Sequence, residues 1–379
     1  MKSHIHTLAS LKAPQPYFDG RGLPPQTTVK DPKFWDMYDN DTLIFDCVWQ
    51  AHKNRLRVFM PKLLEFQKRL LDCSFMLDGT PAPKPKLIQF RQYDILDFKA
   101  RHPVSKLTLI TGDQSYSLPI HHAEPDRYAG RNVLYTKVQN DDLNWIYDWG
   151  LAHQRNHGTD AILVTDNAST AYSSEELQTT LSTIPGIAVA DILQSPQPHG
   201  PGPSLCSGTG WAKFQQVLCM NICRDRFLTD ARAVLTIDVD ELVTSCDGTS
   251  IFDATVQTPT KYTRFGGQWR YAQPKDSGVR HADHVLSDKY AQPCNSKYCI
   301  VPNSFLGRTS WSVHSLDSVN RRVLKPRKNF QMLHCYGINT SWKKNRQNVP
   351  ARAGDVDPKT QAFMDATFQN TSQKQTIKP

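Results

Sequence analysis

Ala233-Val234-Leu235-Thr236-Ile237-Asp238-Val239-Asp240-Glu241 is a strand-length apolar run that ends in three carboxylates within four residues. A short apolar run of this kind suits a buried strand, and the acids that close it mark the point where the chain leaves the core. Alternate side chains of an extended segment project to the same side, so Asp238 and Asp240 are expected to emerge together. Hard cations such as Mg²⁺ and Mn²⁺ are commonly held by one or two carboxylates plus substrate phosphates. One acid can then hold a divalent cation while the other reaches a ribose hydroxyl. Glu241 reads as a first-turn acid complementing a helix dipole.

Upstream, strand-like and helical runs alternate. Asn132 to Val138 reads as a strand. Asp142 to His157 repeats apolar residues at helical spacing, with Gly158 as its C-terminal stop. Ala161 to Thr165 is a second strand. Ser173 with Glu176 three residues later is a capping-box signal for a helix through Ser182, and Ile187 to Ile192 is a third strand. A Pro and Gly loop follows from Ser195 to Gly210, and a helix from Trp211 to about Phe227 leads into the Ala233 strand. This alternation predicts a parallel sheet with helices on its faces, which binds ligands beyond the carboxyl ends of its strands. Three of those ends are polar: Gln139-Asn140-Asp141-Asp142, Asp166-Asn167-Ala168-Ser169 and Asp238-Val239-Asp240-Glu241.

Between Thr42 and about Asp126 the grammar differs. Short β-type segments at Leu43 to Trp49, Leu56 to Met60, Leu87 to Phe90 and Leu107 to Thr111 alternate with turn residues, which predicts a small antiparallel module. Residues 1 to 41 read as an irregular lead-in. The expected organisation is an N-terminal β-rich domain over 1–128, an α/β domain over 129–354 and a polar tail over 355–379.

Composition narrows the class. The chain has 379 residues, 39% of them apolar and 21% charged, ordinary values for a globular protein of about two domains. The apolar runs are strand-length, well short of the roughly 20 residues of a membrane helix, and the first residues lack the pattern of a signal peptide. A cytoplasmic location is the expectation. Nine cysteines without a C-x-x-C pair predict reduced thiols. The net charge of +9 is local, because nine Lys or Arg and no acid lie between Asn320 and Gly354. That stretch suits the phosphates of a nucleotide, an anionic polymer or peripheral contact with the inner membrane surface. Nucleic acid is not expected, since no recognition motif accompanies the charge.

The segment from Trp145 to Ser169, with Leu235-Thr236-Ile237-Asp238-Val239-Asp240-Glu241-Leu242, resembles glycosyltransferase family 92 and bacterial relatives in the family 2-like superfamily. The resemblance covers roughly residues 130 to 345. It implies a GT-A fold (a Rossmann-like, mostly parallel sheet with helices on both faces) and inverting transfer from a nucleotide sugar. A UDP-sugar is the expected donor, Mn²⁺ or Mg²⁺ the metal, and a polysaccharide or glycolipid the acceptor. By position it places Asn140, Asp141, Asp166 and Asn167 at the donor nucleoside, Asp238 at ribose or metal, and Asp240 at the metal. His314 or His334 completes the metal or diphosphate site. Asp141 stands where the family often has Glu, and Thr170 and Ala171 follow Ser169 where it often has Asp. An inverting reaction also needs a base for the acceptor hydroxyl. Asp276 is the expected base, with Asp283 a second candidate, and Trp269 and Tyr271 are candidates to stack on a sugar. The competing reading is a catalytically silent carbohydrate-binding or scaffold protein.

Overall fold

The computed structural model describes residues 3–275, 278–288, 293–317, 319–320, 324–338 and 354–368. Its centre is a nine-stranded mixed sheet. In chain order the strands are β1 (Ile5–His6), β2 (Asn132–Val138), β3 (Ala161–Asp166), β4 (Val189–Gln194), β5 (Ala233–Thr236), β6 (Glu241–Ser245), β7 (Tyr262–Arg270), β8 (Cys294–Ile300) and β9 (Phe330–Cys335). Their spatial order is β1-β4-β3-β2-β5-β8-β7-β9-β6. The first five run parallel to one another, β8 is antiparallel to both β5 and β7, and β6 is antiparallel to β9. The parallel half is the part that the strand and helix alternation predicted.

Helix α1 (Leu143–His157) starts on Asp142, whose carboxylate accepts the Asn144 N–H, and stops at Gly158 in the left-handed region. Helix α2 (Ser174–Ser182) carries the full capping box of Ser173 and Glu176, a device worth about 1 kcal/mol. Helix α3 (Gln215–Cys223) starts later than the sequence predicted and is continued by a π turn over Arg224–Leu228. Helix α4 (Ile251–Gln257) follows β6.

Alternation along the central strands separates two cores. Leu134, Ile162, Val164, Ala190 and Leu235 face Ile146, Trp149, Leu181 and Phe252 of α1, α2 and α4. Val133, Tyr135, Leu163, Val189 and Val234 face α3 through Leu218, Cys219 and Ile222. The second core also takes Phe45, Val48, Phe59, Tyr93 and Ile95 from the N-terminal β module, so that module serves as part of the covering layer. A close approach is required where α1 packs against β3 and the segment after α2: a Cβ on Gly150 would lie 3.2 Å from Ile162 Cδ1 and 2.5 Å from Ile184 Cδ1.

The N-terminal module has a five-stranded sheet, in which only His121–His122 pairs parallel, and a four-stranded antiparallel one. Buried ion pairs join it to the α3 end. Arg226 donates to Asp46 at 3.1 Å and Arg57 to Asp225 at 2.5 Å. The first residues are part of this packing: β1 extends the large sheet, and the fully buried Arg21 donates to the carbonyls of Asp39, Thr42 and Lys62. At the other end, Pro358–Phe368 forms helix α5, which buries Met364 and Phe368 in the core with α1. All nine cysteines are free thiols. Among the described residues, no helix is long and apolar enough to cross a membrane.

Candidate functional site

The carboxyl ends of β2, β3 and β5 lie side by side, because Val138 pairs with Asp166 and Tyr135 with Thr236. At the β2 and β3 ends, polar side chains knit two loops together. Asn140, at positive φ, accepts from the backbone N–H groups of Thr170 and Ala171 at 2.6 and 2.9 Å. Asp141 accepts from the Gln139 N–H. Asp166 accepts from the Ser169 hydroxyl at 2.5 Å, and its pKa is raised by burial, which that hydrogen bond partly offsets. Asn167 donates to the carbonyls of Ser195 and Gln197, each at 2.8 Å, while its own Oδ1 is buried without a hydrogen-bond partner. Four of the residues assigned to the nucleoside are therefore also the groups that shape the loops.

The β5 end carries the charged cluster. The chain turns through Asp238–Asp240 with the Glu241 N–H on the Asp238 carbonyl, then enters β6. Glu241 is thus the first residue of a strand, where the sequence suggested a helix start. Long-range pairing with β9 overrides the local signal: Glu241 stands opposite His334, and the Cys335 N–H donates to the Asp240 carbonyl. His334 Nε2 lies 2.9 Å from Asp240 Oδ2, and its Nδ1 lies 3.8 Å from Glu241 Oε1.

Lys297 completes the group. Thr236 pairs with Tyr298, so Lys297 comes level with the segment leaving β5. Its ammonium lies 2.7 Å from Asp238 Oδ2 and 3.3 Å from Glu241 Oε2, with only 1% of the side chain exposed. Burial works against this charge, but Asp238 and Glu241 outweigh it and raise the lysine pKa. Glu241 is pushed up by its own burial, with Lys297 opposing. Burial likewise disfavours the His334 imidazolium, yet the charge and hydrogen bond of Asp240 raise its pKa to about 10. Trp269 stacks on the His334 ring at 3.9 Å between centroids and fixes its orientation.

Asp240, Glu241 and His334 each bring one ligand atom within 4.8 Å of the others. The buried Nδ1 of His334 has no hydrogen-bond partner, a cation would displace the proton that Asp240 otherwise favours on the ring, and two carboxylates with one imidazole suit Mn²⁺ better than the harder Mg²⁺. These three residues fit a divalent cation. Asp238 is committed to Lys297 on one oxygen while the side chain stays 37% exposed.

His314 is not part of this group; its Nδ1 faces the Ser296 carbonyl at 3.3 Å. Asp276 lies outside the described residues. Asp283 accepts the Arg280 N–H and lies 3.3 Å from Lys275 Nζ. Of the basic stretch, Lys325, Arg327 and Lys328 are exposed, and Arg321, Arg322, Lys343, Lys344, Arg346 and Arg352 lie outside the described residues. The counter-ion role of Lys297 was missed in the sequence. Its only signal was a lone lysine opening the apolar run Tyr298-Cys299-Ile300.

No protein-family model matches the chain, and no curated protein does. One similar solved structure is the apo form of the bifunctional glycosyltransferase WbbM, at 12% identity and a TM-score of 0.24. The match covers 46% of this chain and 27% of that one, so the chain spans about a quarter of that structure's length. At this level of similarity it carries no weight for fold or activity here.

Proposed function

We propose that the chain is a nucleotide-sugar-dependent glycosyltransferase of GT-A type that passes a sugar, with inversion, to a polysaccharide or glycolipid acceptor. The observation that carries this reading is the cluster of Asp238, Asp240, Glu241, His334 and Lys297 at the carboxyl end of a parallel strand. Such strand ends are where open α/β sheets bind ligands, and acids there suit a donor diphosphate with its cation. A divalent cation held by Asp240, Glu241 and His334 would supply charge stabilisation for the leaving diphosphate. Lys297 pairs with Asp238 and Glu241 and holds them in place, and Trp269 keeps the imidazole aimed at Asp240. Asp238, whose side chain is 37% exposed, is the proposed ribose contact. Asp276 remains the proposed base, and Asn140, Asp141, Asp166 and Asn167 the proposed nucleoside contacts. The basic stretch is proposed to face phosphate, an anionic acceptor or a membrane surface.

The test is thermal stability of the purified chain with UDP, GDP, CMP and ADP, each with and without Mn²⁺. A ligand at a hundred times its Kd adds about 2.7 kcal/mol to stability. Metal-dependent stabilisation by one nucleotide, UDP by expectation, is the predicted result. Silence across the panel would reject the donor site and favour the carbohydrate-binding or scaffold reading.

A further inference from the structure

An open cleft lies between the N-terminal β module and the α/β domain. Its volume is about 700 Å³, within the range of roughly 300–1,000 Å³ usual for ligand clefts, and it is lined by Phe90, Arg91, Trp211, Ser312, Leu316 and Asp317 among others. We infer that this cleft is a binding subsite for a neutral oligosaccharide, naming the ligand class partly on the transferase reading above.

The walls are preformed. Gln92 of the β module donates to the Lys213 carbonyl at 2.6 Å, tying the two sides together beside Trp211. The hairpin that pairs Trp311 with Leu316 is held by two hydrogen bonds between Asn221 and the Trp311 backbone, and by Tyr298 donating to the Ser312 carbonyl at 2.9 Å. These bonds hold the described lining residues in place before a ligand arrives, and preorganisation of this kind favours affinity.

The lining matches a sugar's chemistry. Trp211 and Phe90 bring aromatic surface to the lining for the C–H side of a pyranose, one face of Trp211 being covered by the Arg91 guanidinium at 4.2 Å and one face of Phe90 by the stacked Tyr93 ring at 4.5 Å. Ser312 and Ser315 bring hydroxyls, Arg91 donors and Asp317 acceptors, the set that hydroxyl groups require. Among the described lining residues Lys62 pairs with Asp94 at 2.8 Å, and the lining carries one further cation, Arg91, and one anion, Asp317, which accepts from the Ser310 hydroxyl at 2.8 Å. That balance suits a neutral polyol over a polyanion. His314, at the turn of the hairpin, faces the carbonyl of Ser296, the residue before Lys297.

The test is binding of maltotriose, cellotriose, chitotriose, mannotriose and trigalacturonate to the full chain, by calorimetry and ligand-observed NMR. At least one neutral trisaccharide should bind saturably, and Trp211→Ala should weaken it about tenfold, a change of about 1.4 kcal/mol. Arg91→Ala, an exposed position, should weaken it in the same direction without loss of folding. No binding by any probe, preference for trigalacturonate, or binding unchanged in both variants would overturn the assignment. Asp240→Asn separates the two readings: it should leave trisaccharide binding intact. Saccharide binding without any nucleotide response would keep this cleft and reject the transferase; the reverse would do the opposite.

Discussion

His334 and Glu241 stand directly opposite each other on antiparallel strands β9 and β6, and the same histidine reaches Asp240 at 2.9 Å. A single cross-strand register therefore assembles two acids and an imidazole, and Lys297 of a third strand balances their charge.

Lys297→Met should be severely destabilising. It would leave Glu241 and Asp238 without the buried cation that pairs them, and breaking a buried pair from one side costs about 3–5 kcal/mol. Urea denaturation should show this fall, and Lys297→Met combined with Glu241→Gln should recover part of it. A cost confined to a few tenths of a kcal/mol would mean that the ammonium is solvated.

Asp240→Asn should abolish Mn²⁺-dependent stabilisation by nucleotide. As a surface carboxylate it would contribute little to the fold, but its side chain is only 15% exposed and bonds His334. The expected loss is about 1–3 kcal/mol, still compatible with a folded protein. The exposed Glu175→Gln serves as the control and should change neither property.

Asp46→Ala should loosen the N-terminal module from the sheet. Asp46 is fully buried and accepts from Arg226, from the Ala9 N–H and from the Cys47 N–H, with His121 2.7 Å away. Removing it strands a buried guanidinium, at a cost of about 3–5 kcal/mol. Limited proteolysis should then cut within residues 1–128 faster than in the parent protein; equal rates would argue against the coupling.

Acid should destabilise the protein through three buried histidines, against which the raised pKa of Glu241 works in the opposite sense. Burial lowers the pKa of His153 to about 3 and those of His157 and His284 to about 4. Their folded pKa values lie below the unfolded value of about 6.5, so below that pH the unfolded chain binds protons that the native state refuses. Stability should fall between pH 6.5 and about 4, by about 2 kcal/mol per histidine at pH 5. Asp191 acts lower down: burial opposes its charge, but Arg127 outweighs it and holds the pKa at about 2, so its contribution is present above about pH 3.8 and is lost toward pH 2. Urea midpoints at pH 7.5, 6 and 5 would check the slope, and a flat profile would contradict it.

The parallel half of the sheet was legible because its signals are local. Apolar period, the Ser173 and Glu176 capping box and Gly158 each act within a few residues, and the structure places β2, β3, α1 and α2 within a residue or so of where they point. The strand before the Pro-rich loop was displaced by two residues, to Val189–Gln194, since a uniformly apolar segment does not mark its own ends. The helix after that loop was read as starting at Trp211, but Trp211 lies outside α3 and lines the cleft against the β module.

Sequence alone determined that acids follow a buried strand at Asp238, Asp240 and Glu241, because hydrophobicity is a property of one segment, whereas the two-residue period expected to carry on through the acids gives way to a turn over Asp238–Asp240. Tertiary structure decided what those acids meet. Glu241 enters a strand because β9 is there to pair with it, His334 rather than His314 joins Asp240 and Glu241, and Lys297 is their counter-ion. These partners lie 56 to 94 positions away along the chain, and only sheet register, a cooperative outcome of packing many strands, brings them within hydrogen-bonding distance.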